Sequence, residues 1–432
     1  MLRRHVPPPI LLSTLPSSLL WFVDGNAYDL KGFVDKHPGG REALRLAQGT
    51  NCTELFRTYH LLRAPGRVLL LKHLVHVDRT DPVFAELLAG STFTFDEDGF
   101  YKTVAARVRA YFVDSGQTTG ATWRWQVFAV ASLIATIALS IPAYMFGSLS
   151  AAIALGFVRA LTSVGPGHSM SHFSQFPRGN WNSTIFRLAS PFLVSTWAIW
   201  TSSHIRSHHV STLTGEDLQD NYPLKRVQPA MDHRGWHRWQ HFYIWPIYLF
   251  ALPLWAMQDF LESVVSLFTT RFMSRKFTLA QRLENVGIIG FNLLFVVGAP
   301  FFFLDWRTAL MVVLVSSAIT SPLVVIQIVV NHEVPDTMSR VVAGKPEDWG
   351  AHQVLTSHNF GVNSSVALHL SGGLNMQVEH HLFPGVHYAH YPALSKIVQR
   401  ACLEFGLPYN TSTNVFQAMS KHYQVLKLNS VP

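Results

Sequence analysis

Three short stretches carry the residues of this sequence whose types and spacing best suit metal chemistry. They read HSMSH, HIRSHH and QVEHH, and they contain His168 and His172, then His204, His208 and His209, and finally Gln377, His380 and His381. Helical residues three or four positions apart lie on one face, so each stretch should aim two imidazoles, or an imidazole and an amide, at one point. The second ring of each HH pair turns toward a neighbouring point. Three such helices could therefore surround two metal ions.

The donor type restricts the metal. Neutral imidazole suits iron, zinc and copper, whereas harder cations prefer carboxylates. For any single stretch, the alternative is histidines at a membrane interface that are solvated by water or lipid headgroups. Three stretches that each follow an apolar segment favour a shared metal site instead.

Several other residues are weaker candidates. His332 ends the last strongly apolar run and could be a further ligand, or a histidine at a helix end in the interface. Asp217 and Asp220 could accept hydrogen bonds from the outer ring nitrogens of ligands, or lie in a solvated loop. The other possible ligands are His358, Asn359 and His369. His387 and His390 follow Pro384, which is expected to end the third helix, so they are left out.

A second constellation lies between residues 21 and 60. The motif HPGG places His37 before a tight turn formed by Pro38, Gly39 and Gly40, and His60 follows 23 residues later. Two imidazoles from opposite walls can clamp an iron porphyrin from both sides. A six-coordinate iron of this kind has no open position for oxygen and carries electrons. The alternative is two unrelated histidines in a small core. An electron-carrying haem, with no cysteine in the three histidine stretches, favours redox iron over zinc at those stretches.

The elements that must position these residues are mostly apolar helices. Apolar residues make up 48% of the 432 residues and charged residues 14%, which points to a membrane protein. Four segments are long and apolar enough to cross a bilayer, at 126–146, 148–164, 285–304 and 308–330. Because very short links join the members of each pair, we expect two helical hairpins.

A fifth apolar segment, 242–257, is short and contains Pro246 and Pro253. If the three histidine stretches share one side, an even number of crossings must separate the second stretch from the third. The last hairpin already supplies two crossings, so 242–257 is expected to lie in the interface or to re-enter. Lysines and arginines in the long connections predict that the histidine side is cytosolic.

These features predict four segments along the chain. We expect an unstructured leader at 1–16, a small α+β haem domain at 17–80, and a linker at 81–123 with an amphipathic helix near Gly99–Phe112. An α-helical membrane domain with a histidine-rich cytosolic cap follows at 124–432. The net charge of +8 is scattered rather than clustered, which indicates loops near anionic lipid rather than a nucleic-acid surface. Two cysteines, Cys52 and Cys402, provide no disulfide framework.

On these motifs the sequence resembles two known families. Residues 17–80 are similar to the cytochrome b5 domain, and HxxxH, HxxxHH and QxxHH resemble the membrane fatty acyl desaturases. The fused haem domain and the glutamine of the third box point to the front-end group, and the similarity spans nearly all of 17–410. The resemblance implies haem b with His37 and His60 as axial ligands. It also implies a di-iron centre held by the eight box residues, with a further ligand from outside the boxes for which His332 is the candidate.

The same resemblance implies an activity and its surroundings. A cis double bond would be inserted into a (poly)unsaturated fatty acyl chain, carried on a lipid or on coenzyme A, with O2 as oxidant. NADH would supply electrons through cytochrome b5 reductase. The enzyme would be a multi-pass protein of the endoplasmic reticulum membrane, with no nucleic-acid partner.

Departures from the family pattern leave alternatives open. Ser169 stands where the first box often has Asp, and Thr212–Leu213 and the stretch 218–220 differ from the family's usual TN and DPD. These positions are not box ligands, but they put the double-bond position in doubt. A sphingolipid long-chain-base desaturase or a lipid hydroxylase with the same metal site is the nearest alternative. A non-catalytic haem anchor that passes electrons to a partner is the alternative of another class.

Overall fold

The structure, a computed structural model, describes residues 15–62, 67–193, 195–218, 224–269, 277–338 and 348–432. The chain forms two compact units, Met1–Thr94 and Phe95–Pro432. The boundary between them falls within the segment expected as a linker. Nearly all of the expected leader lies outside the described residues.

The first unit is a small α+β fold. An antiparallel sheet has the order Trp21–Val23, Asn26–Tyr28, Leu74–Val75. Asp24 and Gly25 both have positive φ in the hairpin turn, as a two-residue type I′ turn requires. The helices of this unit are Arg41–Ala47, Thr53–Tyr59, Arg67–His73 and Pro82–Leu88.

The second unit is helical. Within the described residues, three helices are long and apolar enough to cross a membrane: Trp123–Phe146, Leu149–Ser171 and Trp306–His332. The bent pair Gly235–Tyr248 and Ala251–Phe268, with 92° between its parts, would be a fourth if it counts as one span. The predicted fold class is confirmed, and these three helices, long and apolar enough to span, cover the predicted segments 126–146, 148–164 and 308–330. The segment 242–257 lies across the bend, which is compatible with the predicted re-entry.

The predicted span at 285–304 is interrupted. The structure has a helix at Leu279–Leu293, a π turn at Leu294–Gly298 and a short helix at Pro300–Phe303. Pro300 has no N–H to donate, and the turn widens just before it. This segment is therefore not one of the uninterrupted apolar helices, although Phe295 and Ala299 pack against the cluster that joins the three spans.

Close helix contacts hold the spans together. A side chain on Gly156 would lie 2.9 Å from the Cβ atom of Ile319 and the same distance from the carbonyl oxygen of Ser316. Small residues of this kind let membrane helices approach closely. The expected amphipathic helix is confirmed at Phe100–Ser115, where Val104, Val108 and Phe112 are buried.

Shorter helices and one pair of strands complete this unit. The shorter helices are Gly179–Ala189, Trp197–Trp200, His209–Ser211, Trp349–Leu355, Ser365–Ser371, Gln377–Leu382, Tyr391–Glu404 and Val415–Leu428. Asn359–Phe360 pairs in parallel with Thr411–Ser412.

Candidate metal and haem sites

The first histidine stretch continues a membrane helix. After Leu149–Thr162 a π turn, Ser163–Gly167, leads into His168–Ser171. The imidazoles of His168 and His172 lie 4.8 Å apart, centre to centre. The predicted pairing at positions i and i+4 is therefore seen in this stretch.

The second stretch differs from the α-helical expectation. Thr196 caps the short helix Trp197–Trp200, and residues Thr201–His208 then form a π turn. A π turn bonds residue i to i+5, so His204 lies beside His209, with the Nε2 atoms 3.2 Å apart. His208 belongs to a second group of ligand atoms. The expectation that His204 and His208 aim at one point is wrong because the helix is widened here.

The third stretch is a short α-helix, Gln377–Leu382. His381 lies one turn after Gln377, and both face His332: the Gln377 Nε2 atom is 2.9 Å from the His332 Nε2 atom, and the His332 and His381 rings are 4.8 Å apart. His380 turns to the other group. The amide of Gln377 therefore lies next to His332 through its nitrogen, and its oxygen accepts from the Asn331 Nδ2 atom, at 3.0 Å.

Eight imidazoles therefore converge in two groups. Within each group, one possible ligand atom per residue lies within 4.8 Å of all the others. The five-imidazole cluster is His168, His172, His204, His209 and His380. The three-imidazole cluster is His208, His332 and His381, with Gln377 beside it.

The nitrogen contacts fit a bound cation better than hydrogen bonds. The Nε2 atom of His204 lies 2.9 Å from that of His168, 3.1 Å from that of His172 and 3.2 Å from that of His209. A ring nitrogen carries either one hydrogen or one lone pair, so it cannot satisfy three such contacts. The Nε2 atoms of His380 and His381 are buried without a hydrogen-bond partner. A metal ion in each cluster would give these nitrogens a partner.

Burial keeps the rings neutral. Desolvation, reinforced by neighbouring imidazoles, holds the pKa values of five histidines well below their ordinary value; these are His172, His204, His209, His380 and His381. Neutral imidazole is the form that binds a metal.

Hydrogen bonds to the outer ring nitrogens fix several rings. The Nδ1 atom of His208 lies 2.9 Å from the Asp217 Oδ2 atom. His332 Nδ1 lies 2.8 Å from the Thr356 carbonyl oxygen, and His380 Nδ1 lies 3.1 Å from the Tyr391 hydroxyl. His381 Nδ1 lies 2.8 Å from the Gln353 Oε1 atom. Such partners set which nitrogen faces a metal. Asp217 was a candidate from sequence, whereas nothing in the sequence singled out Gln353, Thr356 or Tyr391.

The weaker ligand candidates do not join the clusters. The Nε2 atom of His358 contacts the Ser412 hydroxyl, and the Nδ1 atom of His369 contacts the Ser365 carbonyl oxygen. Asn359 supports the third stretch, because its Nδ2 atom donates to Glu379 and its Oδ1 atom accepts from the Val378 N–H. Asp220 lies outside the described residues. His387 and His390, left out of the ligand set because they follow Pro384, contact Gln175 and the Gly120 carbonyl oxygen.

Two glycines place the third stretch against the first. A side chain on Gly372 would lie 2.4 Å from the Gly165 Cα atom, in the π turn before His168. A side chain on Gly373 would lie 2.1 Å from the Tyr388 Cβ atom. Both have positive φ, which favours glycine. The sequence shows the glycine pair but not the backbone that it meets.

A cavity of about 340 Å³ reaches both clusters. Its walls include Val164, Leu193, Ile199, Val324 and Ile328. His168, His204, His208, His332 and Gln377 line it at the histidine clusters, and Gln258, Asp259 and Glu262 are among its polar lining. Apolar and polar side chains contribute to the wall in similar numbers, and a concave site that combines apolar wall with polar groups is the usual form of a small-molecule site.

The first unit holds a pair of facing histidines. The His37 and His60 ring centres lie 6.1 Å apart. Metal–imidazole bonds of about 2 Å place the ring centres of two axial ligands roughly 6 Å apart, so the observed spacing fits a metal between them. The Nδ1 atoms contact the carbonyl oxygens of Gly40, at 3.1 Å, and Phe56, at 2.8 Å. Those contacts leave each Nε2 atom available to a metal.

Steric and backbone constraints explain the two glycines of the HPGG motif. A side chain on Gly39 would lie 2.9 Å from the His37 Cε1 atom, and Gly40 has a φ of 93°. Burial lowers the pKa values of His37 and His60, which favours neutral rings. Leu30, Val34, Leu55, Phe56 and Leu70 belong to the apolar cluster of this unit.

Two family comparisons agree with these sites. The fatty acid desaturase family matches residues 146–413, and the cytochrome b5-like haem/steroid binding domain matches residues 13–77. The desaturase match covers well over half of the chain. The chain therefore belongs to the fatty acid desaturase family, with a cytochrome b5 domain at its N-terminal end. It is an oxygen-dependent desaturase of lipid metabolism.

Comparison with curated relatives indicates to which group of desaturases this chain is similar. An acyl-lipid (7-3)-desaturase of Chlamydomonas reinhardtii is 28% identical over 93% of this chain and 79% of its own length. An acyl-lipid (8-3)-desaturase of Physcomitrium patens is 27% identical over 99% and 91%, respectively. An sn-1 linoleoyl-lipid 6-desaturase of Synechocystis is 28% identical over 76% and 95%. No solved structure matches the chain. These relatives confirm the predicted front-end group.

Proposed function

We propose that this chain is a front-end acyl-lipid desaturase that inserts a cis double bond into a (poly)unsaturated fatty acyl chain. The observation that carries the proposal is the convergence of eight imidazoles in two clusters. Four of them, His168, His204, His208 and His332, line a cavity whose wall has both apolar and polar side chains. The names of the similar proteins support an acyl-lipid carrier over coenzyme A.

The proposed centre is a pair of iron ions. The five-imidazole cluster would hold one, and the three-imidazole cluster with Gln377 would hold the other. Bound iron supplies the oxygen chemistry needed to break unactivated C–H bonds, with O2 as the oxidant. No side chain of the protein needs to act as acid or base in this proposal.

The protein's own contribution is to place the acyl chain and exclude water. Val164, Val324 and Ile328 provide apolar wall from the helices at 149–171 and 306–332. An acyl chain lying along them would pass His168 and His332, which line the same cavity. The hydrogen-bonded outer nitrogens of His208, His332 and His381 would keep the ligand geometry fixed while the substrate enters.

The proposed electron supply is the haem of the first unit. His37 and His60 would hold haem b, which would carry electrons rather than react with oxygen. Cytochrome b5 reductase would reduce this haem with NADH. The proposed location is the endoplasmic reticulum membrane, with the haem unit and the histidine clusters on the cytosolic side.

Expression in a host that lacks polyunsaturated fatty acids tests the function. Individual fatty acids are supplied, and the positions of new double bonds are mapped by mass spectrometry in each lipid class. We expect a new double bond on the carboxyl side of an existing one, in acyl lipids. The matched controls are H380A and H381A, which remove one imidazole from each cluster and should abolish the product.

Other results of this experiment would each point to a different function. A new double bond in a sphingoid base, or a hydroxylated lipid, would replace the proposal with the corresponding activity at the same metal site. If H380A and H381A leave a measured lipid function intact, the clusters are not catalytic and a haem anchor is favoured. A wild-type protein that contains no iron beyond haem would contradict the di-iron proposal.

A further inference from the structure

A charged side chain lies inside the membrane part of the second unit, outside the histidine clusters. Arg159 belongs to the helix Leu149–Ser171, and only 6% of its surface is exposed. It lines a second cavity, of about 20 Å³, whose wall also includes residues of the helix Trp306–His332. An unpaired charge inside a bilayer is costly, so intramembrane arginines are normally paired. A partner for the guanidinium is therefore expected at this cavity.

The described residues around the cavity provide no negative charge. Of those that line it, none is acidic. The titratable side chain that interacts with Arg159 is the Tyr144 phenol, which is neutral near pH 7. The Nε atom of Arg159 is buried without a hydrogen-bond partner among the described residues. The positive charge is therefore not neutralised by the described part of the chain.

Other polar groups at the cavity add hydrogen-bond donors. The Ser317 hydroxyl is buried and also has no partner among the described residues. The Ser321 oxygen accepts from the Leu252 N–H, at 3.3 Å, which leaves the serine proton available to donate. Leu252 lies in the first turn of the helix Ala251–Phe268, and the N-terminal end of a helix carries a partial positive charge. A guanidinium, two hydroxyls and a helix N-terminus thus line one small space, and this combination suits an anion.

The size of the cavity restricts the anion. A buried water needs at least about 10–15 Å³ of such space, so the cavity holds roughly one or two water-sized groups. That volume excludes a phosphate or a lipid headgroup, whereas a monoatomic ion fits. Water would form hydrogen bonds with the same donors but would not neutralise the charge. A chloride ion satisfies both the size and the charge.

We propose that this cavity binds one small monoatomic anion of the halide class, which neutralises Arg159 inside the membrane. The Asn292 Nδ2 atom fixes one wall of the site, because it donates to the carbonyl oxygens of Pro191 and Leu193, both at 2.9 Å. Leu193 also lines the large cavity beside the histidine clusters. The anion therefore stabilises a wall that the two cavities share. The site includes no candidate metal ligand and does not depend on the proposed function.

The unfolding midpoint of the full-length protein in an uncharged detergent measures the binding. Sodium gluconate is replaced stepwise by sodium chloride or sodium bromide at constant ionic strength. A ligand that binds only the folded state raises the midpoint once its concentration exceeds the dissociation constant. We expect such a rise in wild type with both halides. Bromide also scatters anomalously, so diffraction from crystals soaked in bromide should place one ion beside Arg159.

Two pairs of variants separate this site from a general effect of salt. R159Q removes the buried charge and should abolish the halide-dependent rise, whereas R307Q removes an exposed arginine and should retain it. S317A removes one donor to the anion and should raise the half-saturating chloride concentration at least about 10-fold. Ser316 is similarly buried on the same helix but is not among the residues that line the cavity, so S316A should match wild type.

Equal halide responses in wild type and R159Q, or the absence of an anomalous peak beside Arg159, would overturn the proposal and leave water as the partner of the guanidinium. Equal half-saturating concentrations in S317A and S316A would also overturn it, and this comparison decides the question if R159Q does not fold. The measurements use no substrate and require no turnover. Failure of the proposed function would therefore leave their outcome unchanged.

Discussion

At the scale of single residues, His204 shows how the site is specified. Its Nε2 atom lies within 3.2 Å of the same atom in His168, His172 and His209. All four residues come from stretches that the sequence already singled out by spacing. The nitrogen that each ring turns inward, however, is set by partners such as Asp217 and Tyr391, which are placed by the fold.

Asp217 is the sharpest residue-level test of that control. D217N removes the carboxylate that faces the His208 Nδ1 atom, so the His208 ring is less firmly oriented. Loss of such a partner typically costs between about 10- and 100-fold in metal affinity or activity. Iron content after dialysis and product formation measure the effect. The neighbouring exposed Glu216 provides the control, E216Q, which should behave like wild type; equal losses in both variants would contradict the orienting role.

The haem unit offers a second residue-level prediction. G39A places a methyl group 2.9 Å from the His37 Cε1 atom, so His37 must leave its position. We expect most bound haem to be lost, as measured by absorbance of the purified full-length protein. A methyl group added at Gly32 would meet no atom within 4 Å, so G32A is the matched control. Full haem content in G39A would show that His37 is not held by this turn.

At the scale of elements, backbone contact joins the first and third histidine stretches. G372A combines a left-handed backbone with a contact of 2.4 Å to Gly165. We expect a loss of folding stability of at least about 3 kcal/mol, together with loss of iron. Gly406 also has positive φ, but a methyl group there would meet no atom within 4 Å, so G406A should cost only about 1 kcal/mol. The unfolding midpoints in detergent measure both, and equal losses would mean that strain alone matters.

The helices and turns also show which features the sequence could predict and which it could not. Apolar length and charge predicted the helices Trp123–Phe146 and Trp306–His332, because a membrane span has a simple hydropathy signal. Spacing predicted which histidines matter. It did not predict that His204 pairs with His209, because a π turn arises from packing and has no sequence periodicity of its own. The contact of Gly372 with Gly165 joins residues that are far apart in the chain, so local patterns cannot show it.

At the scale of the whole molecule, buried neutral histidines should make stability depend on pH. Burial lowers the pKa of His387 to about 3 and of His358 and His422 to about 4, and those of five cluster histidines also lie well below 6.5. The unfolded chain, with ordinary histidine pKa values near 6.5, therefore binds more protons as the pH falls below 6.5. Stability is full above that value and is lost progressively toward pH 4.

The measurement is the unfolding midpoint of the iron-free protein in detergent. We expect the unfolding midpoint to decrease as the pH is lowered from about 7.5 to about 5.5. H387Q removes one titrating group and should make the dependence shallower. A midpoint that is flat or rises over this interval would contradict the burial argument.

The two clusters contain unequal numbers of imidazoles. Five rings surround one position, whereas three rings and an amide surround the other. Two iron atoms bound there would differ in electronic environment, so Mössbauer spectra should resolve a pair of inequivalent signals.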